Sequence, residues 1–148
     1  MPSALKLTYD LYVAASPDRV WDALTNGTLT EQYFYGTRVK SSFERGAEIT
    51  YTARDTKMIE GEVMAVDSGH KLVISQRALW DPRVAEDPAS QVRWELSAMG
   101  AATKITLVHD GFDRETETFK QSAAGWPVVL SSMKTLIETG KPLTLPQS

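Results

Sequence analysis

Cysteine is absent from the 148 residues. That absence removes disulfide stapling, thiolate chemistry and cysteine-based zinc sites. Histidine occurs twice, as His70 and His109. Two histidines so far apart give no metal-ligand spacing, and the carboxylates show no calcium-loop pattern. A basic excess is missing as well: 16 Lys and Arg stand against 19 Asp and Glu, a formal net charge of −3. A mildly acidic chain is a poor partner for nucleic acid or for an anionic membrane. No apolar run approaches the roughly 20 residues a membrane span needs. The N-terminal segment lacks the charged and continuously apolar regions of a signal peptide, so the expected compartment is the cytosol. No glycine-rich phosphate loop or nucleophile elbow is present, and Ser131-Ser132 is not a serine-hydrolase motif. Neither a metal nor a cofactor is expected, and no complete catalytic constellation is visible.

What is present is an ordinary globular balance, 42% hydrophobic and 24% charged, expected to form one domain over residues 1–148. Leu5 to Ala14 alternates apolar and polar residues and reads as a first strand. Ser16-Pro17-Asp18 supplies an N-cap and a proline at the first helical position, opening a short helix that ends near Asn26-Gly27. A second short helix is expected over Leu29 to Tyr33. Short strands follow over Val39–Phe43, Glu48–Arg54, Lys57–Val66 and Lys71–Arg77. Ala78 to Ser90 reads as a loop. Gln91–Met99 and Thr103–His109 then form a hairpin around Gly100-Ala101-Ala102. From Glu117 the period changes from two to about 3.6. Phe119, Ala123, Trp126, Leu130, Met133 and Ile137 make one face of a long helix ending at Thr139. Gly140 caps it and Pro142 blocks continuation, while Pro127 predicts a kink beside Gly125. The fold class is therefore α+β: a curved antiparallel sheet of six to seven strands around a long C-terminal helix, with two short helices after the first strand.

That order carries a functional implication. One helix about 10 Å wide cannot cover six or seven strands laid flat. The sheet must curl around it, and a half-barrel of this kind tends to leave space between helix and sheet. Tyr51, Trp94, Phe112, Phe119 and Trp126 point inward on the pattern, either filling that space or lining it.

Two segments sharpen the reading. Ala15-Ser16-Pro17-Asp18-Arg19-Val20-Trp21-Asp22-Ala23-Leu24-Thr25 opens the chain after its first strand. Gly125-Trp126-Pro127-Val128-Val129-Leu130 begins a run continued by Ser132, Met133, Lys134, Leu136, Glu138, Thr139 and Gly140. Between them lie Gly61-Glu62-Val63 and Leu107-Val108-His109-Asp110-Gly111-Phe112. On these segments the chain resembles the SRPBCC, or START-like, superfamily, and within it the family named after the activator of heat-shock protein 90 ATPase. The resemblance covers nearly the whole chain and implies a helix-grip fold. It does not imply one activity, because the superfamily holds lipid carriers, aromatic polyketide cyclases and hormone-binding proteins. The eukaryotic chaperone activators carry a further N-terminal domain for which these residues leave no room. A chaperone partner is thus a possibility the sequence does not support. Gln76 stands where the family often has an aromatic residue, which would make that wall more polar.

The candidate ligand-binding residues are Tyr51, Gln76, Trp94, Leu107, His109, Phe112, Phe119, Trp126 and Leu130. They would hold a small hydrophobic or aromatic molecule, with His109 and Gln76 as its polar contacts. His109 has two readings. It either meets a ligand or acts as acid or base, or it ties a strand end to the following loop. Asp110 points to the opposite face, which argues against a His–Asp pair. One of Tyr33, Phe34 and Tyr35 should pack in the core and another should sit at the cavity mouth. Trp80 is either a lid residue or a partner contact. An enzyme of cyclase or hydrolase type using His109, and a protein-interaction domain, are the rival readings.

Overall fold

The computed structural model describes residues 5–144. Seven strands form one antiparallel sheet: β1 Leu5–Val13, β2 Arg38–Lys40, β3 Glu48–Ala53, β4 Thr56–Asp67, β5 Lys71–Ala78, β6 Ser90–Met99 and β7 Ala102–Phe112. Their order across the sheet is β1-β7-β6-β5-β4-β3-β2. Among the described residues four helices accompany the sheet: α1 Pro17–Thr25, α2 Gly27–Tyr33, α3 Pro82–Ala85 and α4 Glu117–Thr139. The α+β reading, with an open antiparallel sheet gripping a C-terminal helix, holds.

The sheet curls because its register slips at defined places. Shifts fall between Leu5 and Leu7, between Tyr51 and Thr52, and between Val63 and Ala65. Each extra residue bends its strand and increases the local twist. On the inner face Ile49, Ile59, Val63, Leu72, Ile74, Val92, Ile105 and Leu107 are buried. Each such side chain contributes about 1.5–3 kcal/mol relative to exposure. The outer face carries charge, with Glu60 between Lys57 at 3.5 Å and Arg77 at 4.0 Å.

Local sequence explains the helix ends. Ser16 accepts from the Arg19 amide, and Pro17 occupies the first helical position of α1. Asn26 closes α1 and also caps α2 through its side chain, which accepts from the Thr28 amide at 3.0 Å. The second helix therefore begins at Gly27 rather than at Leu29. Thr30, fully buried, donates to the Thr37 carbonyl and accepts from the Val39 amide, stapling α2 to β2. β2 ends at Lys40 instead of Phe43: its pairing with β3 stops there, and Phe43 itself adopts a left-handed φ of 60°. The segment read as an uninterrupted loop contains α3, opened by Asp81 and Pro82 with the same cap-and-proline signature as Ser16-Pro17.

α4 runs as one helix through Pro127. Thr116 caps its start, and Gly140, at φ 85°, ends it. Its C-terminal half is locked to the rest of the fold: Lys134 Nζ donates to the Tyr12 carbonyl at 2.6 Å, and Glu138 accepts from the Ala14 amide at 2.8 Å. Arg19 of α1 donates to the Ile137 carbonyl at 2.7 Å. At the other end the Asp87 carboxylate accepts from both the amide and the hydroxyl of Thr118.

Gly61 is where β4 and β5 approach most tightly among the glycines: a Cβ there would collide with the backbone carbonyl of Ser75. We expect Gly61→Ala to destabilise the fold by about 3 kcal/mol, the upper part of the range for forced overpacking. Urea denaturation measures it, and an unchanged midpoint would show that the two strands are not held this close.

Candidate functional site

The N-terminal half of α4 differs from its C-terminal half in what it turns toward the sheet. Val129, Leu130, Met133, Leu136 and Ile137 fill the interior at one end. One and two turns earlier the corresponding side chains are Gly125 and Ser122, which are too small to reach the sheet. A cavity of about 360 Å³ lies there. Its floor and far wall are Met58 and Ile59 of β4 and Gln76 of β5. Phe34, Tyr35 and Thr37, between α2 and β2, form one side, and Trp80, between β5 and α3, forms another. α4 closes it with Gln121, Ser122, Gly125, Trp126 and Val129. Tyr35 is 60% exposed and Trp80 39% exposed, so the rim beside them faces solvent.

Trp126 is the hinge between this cavity and the core. Its ring meets Phe34 at 5.7 Å and Trp94 at 5.7 Å, both edge to face. Its indole N–H donates to His109 Nδ1 at 2.9 Å. An indole nitrogen can only donate, so Nδ1 must be the bare nitrogen and the proton sits on Nε2. Nε2–H then donates to Ser90 Oγ at 2.7 Å, and the Ser90 hydroxyl continues to the Gln76 backbone carbonyl at 3.4 Å. The chain Trp126–His109–Ser90–Gln76 thus joins two cavity-wall residues through the core.

His109 is 0% exposed, and burial pushes its imidazole down to about 4. It is neutral at physiological pH, both nitrogens are engaged, and no path from solvent reaches it. The acid–base use considered for His109 requires such a path, and the geometry does not provide one. Asp110 faces away from it, opposite Gln91.

Of the nine residues proposed from the sequence, Gln76 and Trp126 stand on the cavity wall. Tyr51, Trp94, Leu107 and Leu130 are in the packed core, and His109 lies behind Trp126. Phe112 and Phe119 pair edge to face at 5.1 Å, with Phe112 tilted against His109 at 4.7 Å. Neither lines the cavity. The aromatic run divides: Tyr33 is buried with its hydroxyl on the Ala23 carbonyl at 2.7 Å, Phe34 lines the cavity, and Tyr35 stands at the mouth. Trp80 is also at the mouth, its indole donating to Gln121 Oε1 at 2.6 Å. Thr37, Met58, Ile59, Gln121, Ser122 and Val129 also line the cavity and were missed. The available signal was the small pair Ser122 and Gly125 interrupting an otherwise bulky helix face.

With a curved sheet gripping one long helix over an off-centre cavity, the molecule is of the helix-grip class. The chain belongs to the family described as Activator of Hsp90 ATPase homolog 1-like proteins, whose model matches residues 14–138. Solved structures agree on the fold. DynU16, a protein in the dynemicin biosynthetic locus, superposes with a TM-score of 0.78 at 25% identity over 95% of this chain and 49% of its own. The Aha1 dimer from Colwellia psychrerythraea gives 0.74 at 15% identity, over 92% and 98%. An HSP90 activator from Plasmodium falciparum gives 0.73 at 17%, over 89% and 95%. A search of curated protein sequences returns no match.

The buried neutral histidine has a consequence for pH. Its pKa is lower in the folded chain, about 4, than the ordinary 6.5, so between those values the unfolded chain binds more protons. Stability should therefore fall as pH drops from 6.5 toward 4 and be flat above 6.5, an effect on the order of 3 kcal/mol. Carboxylates titrate in the lower part of this window, so the comparison is with His109→Gln. That variant should lose the wild-type slope between pH 5 and 6.5 in denaturant titrations. Parallel curves would contradict the assignment.

Proposed function

We propose that this protein binds a small apolar or aromatic molecule in the cavity between α4 and the β4–β5 part of the sheet. The observation that carries this reading is the cavity itself. Its roughly 360 Å³ falls at the small end of the range for small-molecule pockets. Its walls are mostly aromatic and aliphatic, its rim is open, and Trp126 is locked from behind by its bond to His109. A pre-organised site of this kind loses little entropy on binding. Trp126, Ile59, Met58 and Val129 would supply contact area. Of the remaining aromatic candidates, Tyr51 and Trp94 would act through the wall rings they pack against, Phe34 and Trp126.

A chaperone partner is the second reading. Two structural neighbours are an HSP90 activator and an Aha1 protein, and Tyr35 and Trp80 expose aromatic surface on one rim. Both readings use the same face of the molecule. Among the described residues no helix is long and apolar enough to cross a membrane.

A ligand present at 100 times its Kd stabilises the fold by about 2.7 kcal/mol, which is several degrees in melting temperature for a chain of this size. A library of small aromatic compounds should therefore contain members that raise the melting temperature and change tryptophan fluorescence. Gly125→Leu provides the control. A Cβ at Gly125 meets Tyr35 at an ordinary 3.6 Å, so a larger side chain enters the cavity without a backbone clash. It also removes a helix-interior glycine, a gain of up to about 1 kcal/mol. The variant should fold stably and respond to no compound. If the wild type responds to nothing, or the variant responds equally, binding in this cavity is wrong. Binding of heat-shock protein 90 by the unliganded wild type, weakened by Tyr35→Ala, would favour the second reading.

A further inference from the structure

Two polar side chains on the cavity wall have no work inside the protein. Gln76 is 4% exposed and Ser122 7% exposed. Among the described residues, neither the Gln76 carboxamide nor the Ser122 hydroxyl makes a hydrogen bond. Neither is sealed: among the described residues the one sealed and unpartnered side-chain atom is Arg93 Nε, elsewhere on the sheet. Their polar atoms therefore face the cavity. Leaving a buried carboxamide unpaired costs stability, and an isosteric leucine would avoid that cost. Of the other polar groups on the wall, the Tyr35 hydroxyl stands at the solvent-exposed mouth and the rest are already engaged. The Thr37 hydroxyl donates to the Phe34 carbonyl, and Gln121 is held by Trp80 and Glu117.

The same wall contains no side chain charged at neutral pH. Beyond the rim Arg83 is paired to Asp81 at 2.8 Å and faces Glu117 at 3.6 Å, so it is not free to receive an anion. An ionised ligand group buried here would lose its hydration without gaining a counter-charge, so an anion should be rejected.

Resting on the binding function proposed above, we infer that the ligand is a neutral aromatic molecule carrying a group that both donates and accepts hydrogen bonds, such as a carboxamide or lactam, and not a carboxylic acid. The Gln76 carboxamide offers one acceptor and two donors, and the Ser122 hydroxyl offers either role. A ligand amide would pair with Gln76 in both directions at once. This gives the polar wall residue a purpose that its position in the fold does not require.

Three probes of one ring system separate the possibilities: naphthalene, 2-naphthamide and 2-naphthoate, titrated calorimetrically at pH 7.5 into the wild type and into Gln76→Leu. The wild type should bind 2-naphthamide about tenfold tighter than naphthalene and should reject 2-naphthoate. Gln76→Leu should melt a few degrees higher, lose the preference for the amide and keep or improve its affinity for naphthalene. Equal binding of all three probes by the wild type overturns this inference and leaves the binding function standing. So does an amide preference that survives in Gln76→Leu, or a variant that melts lower and so reveals an internal role for the carboxamide. If no probe binds the wild type or shifts its melting temperature, the binding function fails and this inference with it.

Discussion

The structure turns on one hydrogen bond, from the Trp126 indole to His109 Nδ1 at 2.9 Å. Trp126 sits on α4 and His109 on β7, so the bond fixes the helix against the strand next to the β1 edge of the sheet. It also fixes chemistry. A donor-only indole demands a bare nitrogen, which forces the neutral tautomer and sends the remaining proton to Ser90. Burial reinforces the choice by disfavouring the charged ring. Losing one partner would strand the other in a dry interior, at about 1–3 kcal/mol. His109 is thus more valuable as an acceptor than as a proton donor, and the residue that looks most reactive in the sequence is the one most fully committed to structure.

Around that bond the helix has two unlike halves. The C-terminal half is filled with Leu130, Met133, Leu136 and Ile137 and is tied to β1 and α1 by Lys134, Glu138 and Arg19. The N-terminal half presents Ser122 and Gly125 and is held at its start by Asp87. The helix cannot tilt inward to close the gap, because both ends are anchored and Trp126 already rests on the core between them. The aromatic chain Tyr51–Phe34–Trp126–Trp94 stiffens the same wall, each ring about 5–6 Å from the next. The empty volume is a consequence of these anchors and two small side chains.

Much of this was legible in the chain. Alternation located all seven strands, the change of period found α4, and Ser16-Pro17 and Gly140 marked helix ends that the structure shares. Boundaries moved where a single side chain decided them, as with Asn26 serving two helices, or where strand pairing stopped, as in β2 at Lys40. α3 was overlooked although Asp81-Pro82 repeats a signature already recognised at Ser16-Pro17. The site was read less well, and for a physical reason. Inward-pointing size identifies what can fill a core, so it selected Tyr51, Trp94, Leu107 and Leu130. A cavity is made where inward-pointing side chains are too small, so its markers were Ser122 and Gly125. Which partner His109 holds depends on how strand and helix lie in three dimensions, and neither local sequence carries that.

The central claim is that this gap is preformed and accessible, with His109 walled off behind Trp126. Crystals pressurised with xenon test it most directly, because xenon enters apolar cavities and is located by its scattering. The account predicts xenon density bounded by Ile59, Met58, Val129 and Trp126, with the Trp126–His109 bond intact and no density beside His109. A gap filled by Trp80 or Tyr35 folded inward, with no xenon bound, would contradict it.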